Sequence, residues 1–158
     1  MNLGTILALT GAAIATAFAG IGSIKGVGMA AEAGMGVLSE DSSKFGKMLV
    51  LSLLPGTQGL YGFIVSFIMM LRIGVFGGIT ETITTGVGWL YIAAALPIGI
   101  GGMISGIAQG RAAVAGISLV AKKPGEFSKA MVSTTLVEIY ALLAFLVSFL
   151  SALAITRL

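Results

Sequence analysis

The sequence predicts an all-α membrane protein whose four transmembrane helices form two tandem helical hairpins. Composition is the first reason: 57% of the 158 residues are hydrophobic and 9% are charged, whereas a soluble domain carries about 25% charged residues. The second reason is the presence of four apolar segments, each longer than the roughly 20 residues that a helix needs to cross a bilayer. The third is that the second half of the chain repeats the pattern of the first.

The first hairpin is predicted to span residues 1–78. Its first helix covers about residues 3–38. This opening stretch is as apolar as a signal peptide but has no positively charged n-region, so we interpret it as a membrane helix. The polar loop SEDSSKFGK, residues 39–47, precedes a second helix over about residues 46–72. The apolar runs are too long and unbroken to be membrane strands.

The second hairpin is predicted to span residues 79–158. The Gly- and Thr-rich stretch RIGVFGGITETITTGVG, residues 72–88, lies between the hairpins. The two helices of the second hairpin are predicted over about residues 84–120 and 128–156. The loop AKKPGEFSK, residues 121–129, lies between them, and its Pro-Gly pair is typical of a helix boundary.

The repeat and the small residues indicate how the helices pack. Tyr61 and Tyr140 correspond at an offset of 79 residues, and several glycines correspond at an offset of 80. Small residues at four-residue spacing share a helix face and let two backbones approach closely. We therefore expect the first and third helices to pack tightly as the inner helices of a ring, with the bulkier second and fourth helices outside. The small residues are Gly22, Gly26, Ala30 and Gly34 on the first helix, and Gly102, Gly106 and Gly110 on the third.

Lysines predict the orientation in the membrane. Cytoplasmic loops carry an excess of Lys and Arg, and five lysines lie in loops 39–47 and 121–129. The loop between the hairpins has one basic residue, Arg72, and one acidic residue, Glu81, and so carries no excess of positive charge. Both termini are therefore predicted on the outer side, with Arg157 as an exception to the rule. The five lysines are Lys44, Lys47, Lys122, Lys123 and Lys129.

Composition excludes several kinds of chemistry. The chain has no cysteine and no histidine, which excludes disulfides, thiol nucleophiles, histidine acid–base catalysis and the usual zinc sites. It has no Walker motif and no nucleophile triad, so we expect a non-catalytic chain. The basic residues are scattered at segment ends, which argues against a nucleic-acid partner.

Glu138 is the one charged residue in the apolar stretch TTLVEIYALLAFLVSFLSALAI, residues 134–155. It lies nine residues beyond Lys129, which places it ~14 Å below the cytoplasmic end, near the middle of the bilayer. A charge at that depth costs at least ~3 kcal/mol, so the carboxyl must be protonated, paired or bound to a cation. The alternative is a neutral acid that is hydrogen-bonded within a helix interface.

Other polar residues occur at matching depths. Gln58 and Gln109 each place an amide within a predicted membrane helix. Pro55, in LLPGTQGLYG, lacks a backbone donor and disturbs the helix locally, so a carbonyl such as that of Leu54 can turn toward a ligand. Thr57 adds a hydroxyl. Oxygen ligands suit hard cations, and a single carboxylate suits a monovalent cation better than a divalent one.

Tyr61 lies one turn after Thr57, where it is placed to hydrogen-bond the Glu138 carboxylate and fix its rotamer. At the 79-residue offset, Glu138 corresponds to Gly59. The first hairpin therefore has no matching acid, and each chain is predicted to offer one ion site per four helices.

The duplicated hairpins carry four motifs, GIGSIKGVGMAAEAG, LLPGTQGLYGF, SGIAQGRAAVAG and LVEIYALLAF. In these four motifs, the sequence resembles the rotor-ring proteolipid of V-type ATPases, the K or c-type subunit. The resemblance extends over nearly the whole chain. The resemblance implies a ring of identical subunits, side by side among the lipids of a prokaryotic cell membrane, turned by a soluble head that hydrolyses ATP. Glu138 would carry the ion, which passes through half-channels of a stator subunit. A central-stalk subunit would dock on the cytoplasmic loops.

The resemblance also implies a Na⁺ site. Sodium-transporting members of the family bind the ion with a Leu carbonyl, a Thr hydroxyl, two Gln side chains and a Glu. H⁺ is the alternative cargo, because proton-carrying relatives retain some of these groups, and no organic cofactor is implied. The matching positions here are Leu54, Thr57, Gln58, Gln109 and Glu138.

Two other functions are compatible with the residues when they are considered without the resemblance. One is a stand-alone pore or secondary carrier around Glu138. A carrier should have broken helices at corresponding positions in both halves, and only LLPGTQ looks broken. The other is a structural proteolipid of membrane junctions, which would leave the polar cluster unexplained. Lys25 and Glu32 form a polar stripe on the first helix, or Lys25 points into the ring lumen toward anionic lipid head groups.

Overall fold

The structure, a computed structural model, describes residues 2–78 and 82–155, and these residues form helices and no strand. Four helical spans are long and apolar enough to cross a membrane, so the predicted all-α membrane fold is confirmed. The first and third spans are single helices, whereas the second and fourth are each divided in two. The helices are α1 (Leu3–Glu40), α2 (Phe45–Leu53), α3 (Thr57–Ile73), α4 (Thr85–Lys122), α5 (Phe127–Thr135) and α6 (Glu138–Ala154).

Close contact between backbones joins α1 to α4. A Cβ added at Gly26 would lie 2.3 Å from the carbonyl oxygen of Gly106, and one added at Gly110 would lie 2.4 Å from the Cα of Gly26. A Cβ at Gly22 would lie 2.6 Å from the carbonyl oxygen of Gly102. Because only glycine allows this approach, the predicted tight packing of the first and third membrane helices is confirmed.

The loop of the first hairpin is shorter than predicted, because α1 continues to Glu40 instead of ending at residue 38. Asp41 ends α1 and begins a 3-10 turn at Ser42–Lys44, since its carboxylate accepts a hydrogen bond from Ser43 N at 3.0 Å. Hydrogen bonds from Ser43, together with the ammonium of Lys44, lower the pKa of Asp41.

The loop of the second hairpin is equally short and contacts the first. α4 continues to Lys122, beyond the predicted residue 120, and Pro124 begins a 3-10 turn. Lys44 Nζ donates a hydrogen bond to the carbonyl oxygen of Ala121 at 3.0 Å, and Lys47 Nζ donates to that of Pro124 at 2.8 Å. These bonds hold the tips of the two hairpins together.

Two breaks interrupt the second and fourth spans. The first is the 3-10 turn Leu54–Gly56, where Pro55 lacks a backbone donor, as the sequence predicts. The second is the two-residue turn Leu136–Val137, in which both residues keep right-handed helical angles, so the span continues through it as one membrane-length helix. Neither proline nor glycine marks the second break, although β-branched residues around it have a reduced helix propensity. The two breaks lie at nearly the same place in the repeat.

α4 passes through Pro97 without ending. A proline inside a helix removes one backbone hydrogen bond and displaces the carbonyl of the preceding turn. The next backbone donor, the N–H of Ile98, is bound by Ser148 Oγ at 3.0 Å. The fourth span therefore supplies the acceptor that keeps α4 continuous.

At the opposite end from the hairpin tips, Arg72 joins α3 to α6. α3 ends at Gly74, whose φ of 83° lies in the left-handed region that favours glycine. Arg72 Nη2 donates hydrogen bonds to the carbonyl oxygens of Leu153 and Ile155, both at 2.8 Å. A cation there also matches the negative end of the α6 dipole.

Some predictions stay outside what the structure addresses. Glu81, Arg157 and residue 156, the predicted end of the fourth helix, lie outside the described residues. The division of the chain between residues 78 and 79 stays a prediction, as does the orientation of the loops in the membrane.

Candidate ion-binding site

The six residues predicted for the ion site lie around the two helix breaks and the middle of α4. One is in the turn before α3, three lie in the first turns of α3, one is in α4, and one begins α6. In chain order they are Leu54, Thr57, Gln58, Tyr61, Gln109 and Glu138.

An amide pair forms the buried part of this group. Gln58 and Gln109 are both 0% exposed, and Gln58 Nε2 donates a hydrogen bond to Gln109 Oε1. Among the described residues, Gln109 Nε2 has no hydrogen-bond partner. A buried donor without a partner costs about 1–3 kcal/mol, so an additional oxygen next to Gln109 would be favourable.

The first helix break brings further oxygens to the amide pair. Thr57 Oγ1 donates a hydrogen bond to the carbonyl oxygen of Leu54 at 3.1 Å and lies 3.5 Å from Gln58 Oε1. A carbonyl, a hydroxyl and an amide oxygen are therefore in contact along one turn of the chain.

Ser23 was not identified from the sequence, yet it fixes this turn to α1. Its Oγ accepts a hydrogen bond from the backbone N–H of Gly59 at 2.8 Å, and Gly59 directly follows Gln58. The only signal in the sequence is a lone hydroxyl in a stretch of α1 that otherwise consists of glycine, alanine and aliphatic residues up to Lys25.

Glu138 is held by Tyr61 across the two hairpins. Tyr61 Oη donates a hydrogen bond to Glu138 Oε1 at 2.6 Å, and the ring of Tyr61 packs on that of Phe145 with centroids 5.3 Å apart. Glu138 is the first residue of α6 and directly follows the Leu136–Val137 turn. The contact expected from the sequence is present, while the role of Tyr61 in ion binding stays a prediction.

The group can offer oxygens of four kinds: carboxylate, hydroxyl, backbone carbonyl and side-chain amide. Such oxygens are the ligands of hard cations, and a half-turn of either glutamine amide exchanges its oxygen and nitrogen. Within the described ranges, no cluster of three Asp, Glu, His or Cys side chains could hold a metal ion. A cation bound here would face one carboxylate, which matches a single positive charge.

A second polar group lies apart from the amide pair. Lys25, Glu32 and Arg111 line a cavity of about 500 Å³ between α1 and α4, and all three are exposed. Gln109, two residues from Arg111, is fully buried, so the cavity opens on a different face of α4. The contact of Lys25 with lipid head groups stays a prediction.

Comparisons with known proteins show the family. The sequence model of the family of the ATP synthase C subunit matches twice, at residues 10–69 and 92–151. V-type sodium ATPase subunit K from Enterococcus hirae is 44% identical over 152 residues, which cover 96% of this chain and 94% of that relative. A-type ATP synthase subunit K from Methanocaldococcus jannaschii is 39% identical over 145 residues, which cover 92% of this chain and 61% of that relative.

Two similar membrane hairpins in tandem define a duplicated proteolipid, an integral multi-pass membrane protein. The chain belongs to the family of the ATP synthase C subunit and is a rotor-ring subunit of a V/A-type ATPase. The prediction of a rotor-ring proteolipid is thereby confirmed.

Proposed function

We propose that Glu138 carries Na⁺ through the membrane as a ring of identical copies of this chain rotates, driven by ATP hydrolysis in other subunits. This chain is itself non-catalytic. Tyr61 orients the carboxylate of Glu138. The groups proposed to bind the ion are the carbonyl oxygen of Leu54 and the side chains of Thr57, Gln58, Gln109 and Glu138.

Two long-range contacts made by residues in the first turns of α3 carry this proposal. Gln58 and Gln109 are in contact although 51 residues separate them, and Tyr61 and Glu138 are in contact across 77 residues. The name of the relative that is 44% identical specifies sodium, which supports Na⁺. H⁺ is the second candidate, because the Tyr61–Glu138 and Gln58–Gln109 hydrogen bonds are also compatible with a protonated carboxyl.

Coupling of ion binding to rotation follows from the cost of a charge in lipid. A bare carboxylate near the middle of the bilayer costs at least ~3 kcal/mol, so Glu138 should pass the lipid only when an ion neutralises it. A fixed positive charge on the stator subunit would favour the bare carboxylate and release the ion. Each chain would then move one ion for each passage of Glu138 past the stator.

A rotating ring needs two further partners, a stator subunit and a central-stalk subunit. The stator subunit supplies the half-channels, and a central-stalk subunit binds the hairpin tips at residues 39–47 and 121–129. Those tips lie on the cytoplasmic side of a prokaryotic cell membrane, with both termini outside. The hydrogen bonds from Lys44 and Lys47 to the second loop support this docking, because they join the tips into one surface.

Carbodiimide labelling tests the identity of the cargo. The reagent attacks a protonated carboxyl, so Na⁺ bound at Glu138 should protect it. We expect millimolar Na⁺ to slow the labelling of Glu138 in purified membranes over a range of pH, and the same concentration of K⁺ to have no such effect. The Glu138→Gln variant, which lacks the reactive carboxyl, measures the background. Equal labelling in Na⁺ and K⁺ at every pH would contradict a Na⁺ site and leave H⁺ as the cargo.

Removing the Tyr61 hydroxyl should weaken Na⁺ binding. A hydrogen bond to a charged group contributes about 1.5–3 kcal/mol, so in Tyr61→Phe the Na⁺ concentration for half-protection of Glu138 should rise roughly tenfold or more. Tyr140→Phe is the matched control, since it makes the same change at the repeat-related position, and it should leave half-protection unchanged. A similar shift in both variants would show that Tyr61 has no specific role.

A further inference from the structure

We propose that an apolar groove between α4 and α6 receives the next copy of the chain in the ring, and that Phe63 and Phe67 on α3 of that copy pack against it. This inference rests on a ring of identical copies and is independent of which ion the ring carries.

The groove is an exposed apolar surface on the second hairpin. It has a volume of about 390 Å³, and its lining includes Leu90, Ala93, Ala94, Pro97, Val147 and Ser151. Of these side chains, Leu90 is 50% exposed and Val147 is 54% exposed. Both lie in membrane-length spans, where an apolar surface meets either lipid or protein. The internal repeat of the chain distinguishes the two.

The helix bounds give the offset of this repeat in the structure. α1 and α4 begin and end 82 residues apart, and so do α2 and α5. The two matches of the family model, at residues 10–69 and 92–151, are also 82 residues apart. The offset of the packed helices is therefore 82 residues, instead of the 79 or 80 that single tyrosines and glycines indicate.

At this offset, the groove corresponds to the closed core of the first hairpin. Val147 corresponds to Val65, which is 0% exposed, so the same type of residue is open in one half and covered in the other. The counterparts of the six lining residues are all buried, and they are Ala8, Gly11, Ala12, Ala15, Val65 and Met69. The groove is therefore a core surface that the single chain leaves uncovered.

The second hairpin covers the corresponding surface of the first. Phe145 and Phe149 on α6 pack against the cluster of buried residues that contains Val65. The ring centroid of Phe145 lies 5.3 Å from that of Tyr61 and 5.4 Å from that of Phe149. A pair of aromatic rings on an outer helix thus helps to close the face of the neighbouring hairpin.

The first hairpin carries the same aromatic pair. Phe63 and Phe67 on α3 lie 82 residues before Phe145 and Phe149, and their ring centroids are 6.1 Å apart. Phe63 is 52% exposed and Phe67 is 40% exposed, whereas Phe145 and Phe149 are partly buried. The pair that closes a core in the second hairpin is thus available for another copy in the first.

Copies that follow one another in the ring as the hairpins do within the chain would bring this pair to the groove. Phe63 would lie on Leu143 of the preceding copy, which is the counterpart of Tyr61 and is 57% exposed. Phe67, one turn further along α3, would lie at Val147. Burial of these apolar side chains favours the contact.

The inner helices complete the junction and make it wider than the one inside the chain. A Cβ at Gly22 would lie 2.6 Å from the carbonyl oxygen of Gly102, and one at Gly106 would lie 2.7 Å from the carbonyl carbon of Gly22. At the offset of 82, Gly22 and Gly106 correspond to Ile104 and Ile24, which are 60% and 72% exposed. Because isoleucines replace the glycines that allow close approach, α4 and α1 of adjacent copies should lie further apart.

Cross-linking tests the contact, because the chain contains no cysteine of its own. Chains carrying both Leu143→Cys and Phe63→Cys, treated in native membranes with a short bifunctional thiol reagent, should give a ladder of multimers on denaturing gels. Leu142→Cys with Phe63→Cys is the matched control. Leu142 is the same type of residue at nearly the same depth and is 40% exposed, but it points about 100° away around α6. The control pair should give no ladder.

Two outcomes would overturn the proposal. One is the absence of a ladder from the Leu143→Cys pair in rings that native electrophoresis shows to be intact, which would place the groove against lipid. The other is a ladder of equal yield from the Leu142→Cys pair, which would show that the contact does not use the groove side of α6. Absence of a ring from the unmodified chain on the same native gel would instead contradict the ring on which the inference rests.

Alanine substitution tests the aromatic pair even where the cysteine variants do not assemble. Phe63→Ala should lower the temperature at which the ring dissociates in detergent. The control is Leu60→Ala, on the same helix, which should leave this temperature unchanged. Leu60 is 62% exposed, and its counterpart Leu142 stays 40% exposed although the second hairpin packs on the first. Equal dissociation temperatures of the two variants would overturn the contact. Na⁺ protection of Glu138, measured on the same membranes, tests the cargo separately.

Discussion

The Glu138→Gln variant should assemble into a ring and transport no Na⁺. Glutamine has the size of glutamate and can still accept a hydrogen bond from Tyr61, so the packing at the start of α6 should be kept. The amide carries no charge, however, and a Na⁺ ion in the site would no longer be neutralised. At mid-membrane depth that costs at least ~3 kcal/mol, more than a hundredfold in ion affinity.

Sodium uptake into reconstituted vesicles and ATP hydrolysis by the intact complex measure this effect. Both should fall to background in Glu138→Gln, while native electrophoresis should show an intact ring. Glu32→Gln is the matched control, because it makes the same change at an exposed carboxylate on α1, and it should retain transport. Normal transport by Glu138→Gln would contradict the proposed mechanism.

Much of the fold could be predicted from the sequence because it depends on local properties. The length and apolar character of each segment specify the four spans, and Pro55 marks the first break because it lacks a backbone donor. The break before Glu138 has no such marker. It lies among residues that are common in helices. The only local signal of its position is the reduced helix propensity of the β-branched residues around it. The first and third helices extend two residues further than predicted, because each continues until the 3-10 turn that follows it, which begins after Asp41 in the first hairpin and at Pro124 in the second.

The candidate site was predicted as a set of residues but not as a set of bonds. Counting residues along a helix gives the depth of a side chain at about 1.5 Å per residue, which is enough to group Gln58, Gln109 and Glu138. It does not give the rotation of each helix or the choice of neighbour. The Gln58–Gln109 bond, the contact of Ser23 with Gly59 and the Arg72 bonds depend on how distant segments pack.

The Gly26→Ala substitution should destabilise the protein, whereas Gly28→Ala should not. The new Cβ at Gly26 would lie 2.3 Å from the carbonyl oxygen of Gly106 and 2.7 Å from the Cβ of Pro55. Because the first of these is a backbone atom, α1 and α4 must move apart, and overpacking of this kind typically costs about 1–3 kcal/mol. At Gly28, on the same helix, nothing lies within 4 Å of the new Cβ, so the change adds only helix propensity.

The same substitution should weaken ion binding, because Gly26 touches both elements that hold the amide pair. Pro55 leads into the turn that carries Gln58, and Gly106 lies one turn before Gln109 on α4. We expect Gly26→Ala to lower the thermal unfolding temperature and to raise the Na⁺ concentration for half-protection of Glu138, with neither change in Gly28→Ala. Identical behaviour of the two variants would contradict a tight α1–α4 contact. A lower unfolding temperature with unchanged Na⁺ protection would show instead that the amide pair forms independently of the distance between these helices.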